Sequence, residues 1–210
     1  PEWAGMTASQ RGKLLMRLAD LVAEHAPRLA ALETRDTGKI IRETSAQIAY
    51  VAEYYRYYAG LADKIEGAHL PIDKPDMEVW LRREPIGVVA AIVPWNSQLF
   101  LSAVKIGPFA EECGSVLTRH PDVAHVAFTG GPETARHILR NSAENLASTS
   151  LELGGKSPFI VFEDADIESA VNAQISGIFA ASGQSCVAGS RLIVQNTIKD
   201  AFLGRLREKA

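Results

Sequence analysis

Cysteine is scarce in this chain. Of its 210 residues only Cys113 and Cys186 are thiols, and they form no C-x-x-C pair. So few excludes a scaffold built on disulfides, and no Cys/His spacing suits a zinc site. The same scarcity fits a reducing, cytoplasmic setting. Long apolar runs are missing as well. The best, over residues 86–93, has the length of a buried strand and falls far short of the roughly 20 residues a bilayer helix needs. Charge of one sign is also absent: 22 basic residues face 25 acidic ones, scattered along the chain, for a net charge of −3. That balance gives no electrostatic footprint for nucleic acid or for an anionic membrane. The opening residues, PEWAGMTASQ, carry neither the basic nor the apolar segment of a secretion signal. They also lack a methionine at position 1, and we read the start as internal to a longer protein. Internal repeats and low-complexity segments are lacking.

What remains is an ordinary globular composition, 47% hydrophobic and 22% charged, long enough for one large domain or two modest ones. The first third reads as helical. Leu14, Leu15, Leu18, Leu21 and Val22 recur at helical spacing behind Thr7 or Ser9 as caps. Pro27 suits the first turn of a second helix carrying Leu29 and Leu32 and stopping at Gly38. A third helix places Ile48, Val51, Ala52, Tyr55 and Ala59 on one stripe and ends by Gly67. Its tyrosines, Tyr54, Tyr55, Tyr57 and Tyr58, are read as packing residues, because aromatics at helical spacing usually serve a core or an interface.

Beyond Pro71 the texture changes. PIDKPDMEVWLRREPIG mixes turn signals with a short alternating segment, which predicts a hairpin or edge ribbon. GVVAAIVPWN is continuously apolar, as expected of a parallel strand covered on both faces. A helix follows, with Leu99, Leu101 and Val104 inward and Ser97 near its cap. A strand over 123–128 then meets a Thr129-Gly130-Gly131 turn, and Pro132 opens the next helix. A further strand ends at Gly154-Gly155, another runs over 159–162, and Asp166 caps a helix with Ile167, Ala170, Val171, Ile175 and Ile178 inward. Strands alternating with helices imply an α/β fold with a parallel sheet.

In such sheets ligands sit beyond the carboxyl ends of strands. Three polar or glycine-rich turns fall there: Pro94-Trp95-Asn96, Thr129-Gly130-Gly131 and Glu152-Leu153-Gly154-Gly155. A glycine turn that opens a helix can take a phosphate on its free N–H groups. Here Pro132 removes one donor and Glu133 opposes an anion, so on pattern alone a tight turn is the better reading. Cys186 lies in FAASGQSCVAGSR, where small polar neighbours would let a substrate approach the sulfur; most free cysteines are inert and buried. Glu152, between two leucines, either faces solvent from a strand or sits in an apolar wall, where desolvation would make it a stronger base. Asn96 is either a turn residue or an amide donor for an oxyanion.

Taken together, PWN, FTGG, LELGGKSP and GQSCVAGSR in this order resemble the aldehyde dehydrogenase superfamily. LETRDTGK, YYAGLADKIEG, RREPIGVVAAIVPWN and EDADIESAV extend the resemblance over nearly the whole chain. It implies that Cys186 attacks an aldehyde, that Asn96 with the Cys186 N–H holds the oxyanion, and that Glu152 activates the water that hydrolyses the thioester. Lys105, nine residues beyond Asn96, matches a lysine near the thiol that assists proton movement; a helix-surface role fits it nearly as well. Ile92, Pro94 and Trp95 would line the nicotinamide side of NAD or NADP, Gly130 and Gly131 would approach its pyrophosphate, and Leu153 and Gly154 its ring. The implied substrate is a small aldehyde, and Ser97 and Ser185 favour a small polar one. The implied assembly is a homodimer or homotetramer of the complete parent, bridged by a ribbon at about 68–86. No metal, nucleic acid or membrane partner is expected.

The expected fold is a Rossmann-like parallel sheet flanked by helices over residues 1–154, with the start of a second α/β catalytic domain over 155–210. Near 109–111 a block of a few dozen residues that the family carries is missing, including the residues that contact the adenosine ribose. The resemblance implies that most of the catalytic domain is absent from the sequence as well. A catalytically inactive binding or assembly remnant is therefore an alternative. A thiol hydrolase is a third possibility, although none of His25, His69, His120, His125 and His137 lies near Cys186 in sequence.

Overall fold

The structure, a computed structural model, describes residues 2–105 and 114–210. After a short helix α1 (Glu2–Gly5), three helices form a layer: α2 (Ala8–Glu24), α3 (Ala26–Thr37) and α4 (Ile41–Leu61). Thr7 caps α2 in a capping box with Gln10, and Pro27 stands in the first turn of α3. Gly38 ends α3 at φ 76°, a left-handed geometry that costs glycine nothing. The stripe expected on α4 is buried, Ala59 included, and Ile48, Val51, Ala52 and Tyr55 meet Ala19, Val22 and Ala30. On α2 the inward face is Leu15, Ala19 and Val22, whereas Leu14 and Leu18 are exposed. Both leucines fit a helical period, but they fall off the narrow seam that α4 covers.

The tyrosines of α4 divide between core and surface. Tyr55 is buried and Tyr57 and Tyr58 are exposed. Tyr54 donates to the Tyr58 hydroxyl at 3.4 Å, and its ring lies 4.8 Å from that of Tyr58. That hydrogen bond, reinforced by burial, pushes the Tyr54 hydroxyl up to about 12, so it stays a neutral packing group.

An antiparallel ribbon follows, β1 (Ala68–Leu70) against β2 (Val79–Leu81). A three-stranded parallel sheet is then built from β3 (Val88–Ile92), β4 (Val123–Gly130) and β5 (Ser148–Leu153), in the order β3-β4-β5. Helices α5 (Gln98–Lys105), α6 (Gly114–Arg119) and α7 (Pro132–Asn145) flank it. Ala90, Val123, Val126 and Phe128 of the sheet pack with Ala135 and Ile138 of α7. Ala103 of α5 joins the core of the helical layer, which fixes that layer to the sheet.

Two expectations are corrected here. The apolar run of β3 is buried only at Ala90 and Ala91, while Val88 and Val89 are exposed; among the described residues β3 is one of the two outer strands of the sheet. Thr129 and Gly130 belong to β4, paired with Glu152 and Leu153, and only Gly131 is left as the cap of α7. A Cβ on Gly130 would lie 2.5 Å from the Phe128 ring, so the glycine lets that ring fold across the strand end.

The last unit pairs β6 (Pro158–Val161) in parallel with β7 (Arg191–Val194), crossing through α8 (Ile167–Phe179), and α9 (Lys199–Lys209) packs beside them. Asp166 caps α8 through the Ser169 N–H at 2.8 Å. Val161, Val171 and Phe202 form its core. Glu168 pairs with Arg205 and Lys209 of α9, and those two cations hold its carboxyl down at about 2.

Candidate active site

Parallel register brings the ends of the three strands to one edge. Ile92 lies opposite Phe128, and Thr129 and Gly130 lie opposite Glu152 and Leu153. Beyond that edge opens a cavity of about 1430 Å³. Lining it are Ile92, Pro94, Trp95 and Asn96 from the end of β3, Gly130 and Gly131 from β4, Glu152, Leu153 and Gly154 from β5, and Cys186. These are all but one of the residues singled out in the sequence. The exception is Lys105, the last residue of α5, whose side chain lies outside the described residues.

Cys186 is exposed, with a free thiol. Its loop leaves α8 through a 3-10 turn, Ala180–Gly183, with three successive left-handed residues: Ala181 at φ 52°, Ser182 at φ 57° and Gly183 at φ 75°. Only the third is glycine, so the turn needs support from elsewhere. The corner between α3 and α4 supplies it. The Ala181 N–H donates to Glu43 Oε2 at 3.0 Å, Ser182 Oγ to the Gly38 carbonyl at 3.1 Å, and Gln184 Nε2 to the Thr37 carbonyl at 3.3 Å. Asn96 completes the brace: its Nδ2 donates to the Gln184 carbonyl at 2.6 Å. Downstream, Gln174 Nε2 holds the Gly189 carbonyl at 3.0 Å.

Because an L-residue with a Cβ is disfavoured in the left-handed region and asparagine is tolerated there, Ala181→Asn should stabilise the protein by about 1 kcal/mol. Urea unfolding followed by circular dichroism checks this, and a lowered midpoint would contradict it. The new side chain has room, since Ala181 lines the cavity.

Of the two readings open for Glu152, the structure has the exposed one: it stands on β5, lines the cavity and is open to solvent. Gly131, Gly154 and Gly155 have nothing within 4 Å of where a Cβ would be, so a ligand can reach their backbone.

A second polar group meets the cavity near Asn96 and was not singled out in the sequence. Lys39 is 3% exposed, yet its Nζ donates to Glu33 Oε1 at 2.7 Å, Gln47 Oε1 at 2.8 Å and Ser97 Oγ at 3.0 Å. Gln47 Nε2 also donates to Ser97 Oγ, at 3.3 Å. Lys39, Gln47 and Ser97 all line the cavity, as does Glu43. The only sequence signal for Lys39 was its place in LETRDTGK, where nothing distinguishes it from a surface lysine. Among the described residues no group of three or more His, Cys, Asp or Glu is placed to hold a metal, and no helix is long and apolar enough to cross a membrane.

Comparison with known proteins places the whole chain in one family. Residues 1–110 and 108–210 match the Aldehyde dehydrogenase family. A (Z)-2-((N-methylformamido)methylene)-5-hydroxybutyrolactone dehydrogenase of Acinetobacter baylyi is 65% identical over 249 positions, covering 99% of this chain and 51% of that protein. Betaine aldehyde dehydrogenase of Bacillus subtilis is 36% identical, over 100% of this chain and 51% of its own length. Among solved structures, PnpE in complex with nicotinamide adenine dinucleotide superposes with a TM-score of 0.88 at 38% identity, over 98% of this chain and 51% of that one. The chain spans about half the length of the curated relatives it matches. The match with the Acinetobacter protein runs over 249 positions against the 210 residues here, and the two family matches meet at residues 108–110, where the sequence had pointed to a missing block. The chain belongs to the aldehyde dehydrogenase family.

Proposed function

We propose that the complete protein carrying this chain oxidises a small aldehyde to a carboxylic acid with NAD or NADP, using Cys186 as the nucleophile. The observation that supports this most is the shared cavity: Cys186, Glu152 and Asn96 all open onto it, and Asn96 is tied to the loop that carries the thiol. A pocket for a small molecule alone is usually about 300–1,000 Å³, so this larger space suits a substrate together with a cofactor.

The nicotinamide end of such a cofactor fits the residues present. Ile92, Pro94 and Trp95 offer one wall, Leu153 and Gly154 another, and the backbone at Gly131 and Gly154 is open to close approach. When bound there, the cofactor supplies the acceptor for the hydride lost by the substrate. At the pyrophosphate end Pro132 and Glu133 begin α7, which leaves Gly130 and Gly131 to meet the phosphates through backbone alone. The residues the family uses for the adenosine ribose fall in the missing block.

The chain's own residues then divide the work. The Cys186 sulfur adds to the aldehyde carbon and its proton is lost, because the thiolate is the reactive form and an ordinary thiol is only a few per cent ionised at neutral pH. An amide nitrogen carries two N–H groups. One on Asn96 holds the Gln184 carbonyl, which leaves the other for the oxyanion beside the Cys186 N–H; one such donor is worth roughly 3–4 kcal/mol in other enzymes. Loss of hydride leaves a thioester on Cys186. Glu152 takes a proton from water, the water oxygen attacks the acyl carbon, and the thiolate departs. In this reading residues 1–154 form the cofactor-binding part and 155–210 the beginning of the catalytic part. The β1–β2 ribbon is the subunit bridge of a homodimer or homotetramer.

Spectroscopic assay of the full-length protein with simple aldehydes and NAD or NADP tests the proposal. Reduced cofactor should form, and alkylation of Cys186 should stop it; no reduced cofactor from any aldehyde would contradict it. The internal gap favours a second reading for the 210-residue chain itself, an inactive remnant. Running the same assay on the 210-residue chain separates the two, since a remnant gives no reduced cofactor under conditions where the complete protein does.

A further inference from the structure

The hydroxyl of Ser97 has only one direction left to it. Lysine donates and never accepts, so the Gln47 oxygen must face Lys39, as the 2.8 Å contact has it. The Gln47 amide nitrogen is thereby turned to Ser97 Oγ, at 3.3 Å. Lys39 Nζ donates to the same Oγ at 3.0 Å. Both lone pairs of the serine oxygen are therefore filled, and its single proton remains. Among the described residues that O–H has no acceptor. Ser97 is half-buried and faces the cavity one residue from Asn96. A hydroxyl whose oxygen accepts from a buried ammonium is polarised into a stronger donor.

From this geometry we infer that Ser97, oriented and polarised by Lys39 and Gln47, determines specificity by donating a hydrogen bond to an acceptor oxygen on the substrate. The class it selects is an aldehyde carrying a second oxygen function, a carboxylate, amide or lactone carbonyl, close to the reacting carbon. An aldehyde bearing a quaternary ammonium offers no acceptor there; the Lys39 charge is balanced by Glu33, so the selection rests on the hydroxyl. Glu43 also lines the cavity, but one of its carboxylate oxygens is engaged by the Ala181 N–H, on the side of the cysteine loop.

The inference rests on the dehydrogenase reading above, and one experiment separates their failures. In the full-length protein, kcat/KM is measured for succinic semialdehyde, butanal and betaine aldehyde, with Ser97 intact, as Ser97→Ala and as Ser97→Thr. The intact protein should prefer succinic semialdehyde to both others. Ser97→Ala should lower the ratio of succinic semialdehyde to butanal by about 10- to 100-fold, the range for a hydrogen bond to a charged group. Ser97→Thr, which keeps the hydroxyl, should restore most of it. An unchanged ratio in Ser97→Ala, or a preference of the intact protein for betaine aldehyde, overturns the inference while leaving the dehydrogenase reading standing. No oxidation of any of the three by the intact protein overturns the inference, and the dehydrogenase reading falls with it only if a wider panel of simple aldehydes also gives no reduced cofactor.

Discussion

Glu152→Gln in the full-length protein should release at most one reduced cofactor per active site and then stall, with steady turnover at least about 10²-fold slower. The change keeps the shape and removes the ability to take a proton. In the proposed mechanism acylation of Cys186 does not need that ability, whereas hydrolysis of the thioester does. A burst followed by a stall therefore isolates Glu152 in the second half-reaction. Equal loss of the burst and of the steady rate would place Glu152 earlier, in activation of the thiol. Its exposed position on β5 favours the later role, because a water molecule can reach it there. The register of β4 and β5 fixes it next to Thr129, at the strand ends where the cavity opens.

The second large effect concerns stability. Lys39→Met is expected to cost about 3–5 kcal/mol, the usual result when one member of a buried ion pair is removed and its partner remains. Glu33 and Lys39 are each 3% exposed, and among the described residues Glu33 Oε2 has no hydrogen-bond partner. Without the ammonium, Glu33 would keep a buried carboxylate, while Gln47 and Ser97 would lose the donor that orients them. Adding Glu33→Leu to Lys39→Met should recover most of the loss, since replacing both charges by apolar groups is often neutral. Urea unfolding of the single and double variants measures this. A double variant no more stable than Lys39→Met would show that the pair is not an isolated unit. The same substitution should loosen Ser97, so Lys39 links the stability of the helical layer to the wall of the site.

Much of the candidate site was legible in the sequence, less from any one residue, since each setting alone left two readings open, than from the order of the four motifs taken together. Cys186 stands among small polar residues, Glu152 precedes two glycines at a strand end, and Asn96 follows the one long apolar strand. Each of the three faces the common cavity. The residues that hold them in place were not legible. Glu43 reaches Ala181 across 138 positions, and Lys39 reaches Ser97 across 58. No local pattern encodes such a partnership, since a lysine after glycine at a helix end reads as a solvated cap. The fold shows the same division. The α4 stripe was readable because it is buried along its length, whereas Leu14 and Leu18 satisfy the helical period without facing α4. Val88 and Val89 looked like interior strand residues because an apolar run does not tell an outer strand from a central one. Thr129 and Gly130 looked like a turn because glycine usually interrupts strands, yet here Gly130 makes room for the Phe128 ring.

The account stands most directly on the identity of the acylated atom. The Glu152→Gln protein, mixed with aldehyde and NAD, quenched in acid and digested, should yield the peptide containing Cys186 with its mass raised by one acyl group, in the same amount as the reduced cofactor formed. Reduced cofactor without that adduct, or an acyl group on any other residue, would contradict the central claim.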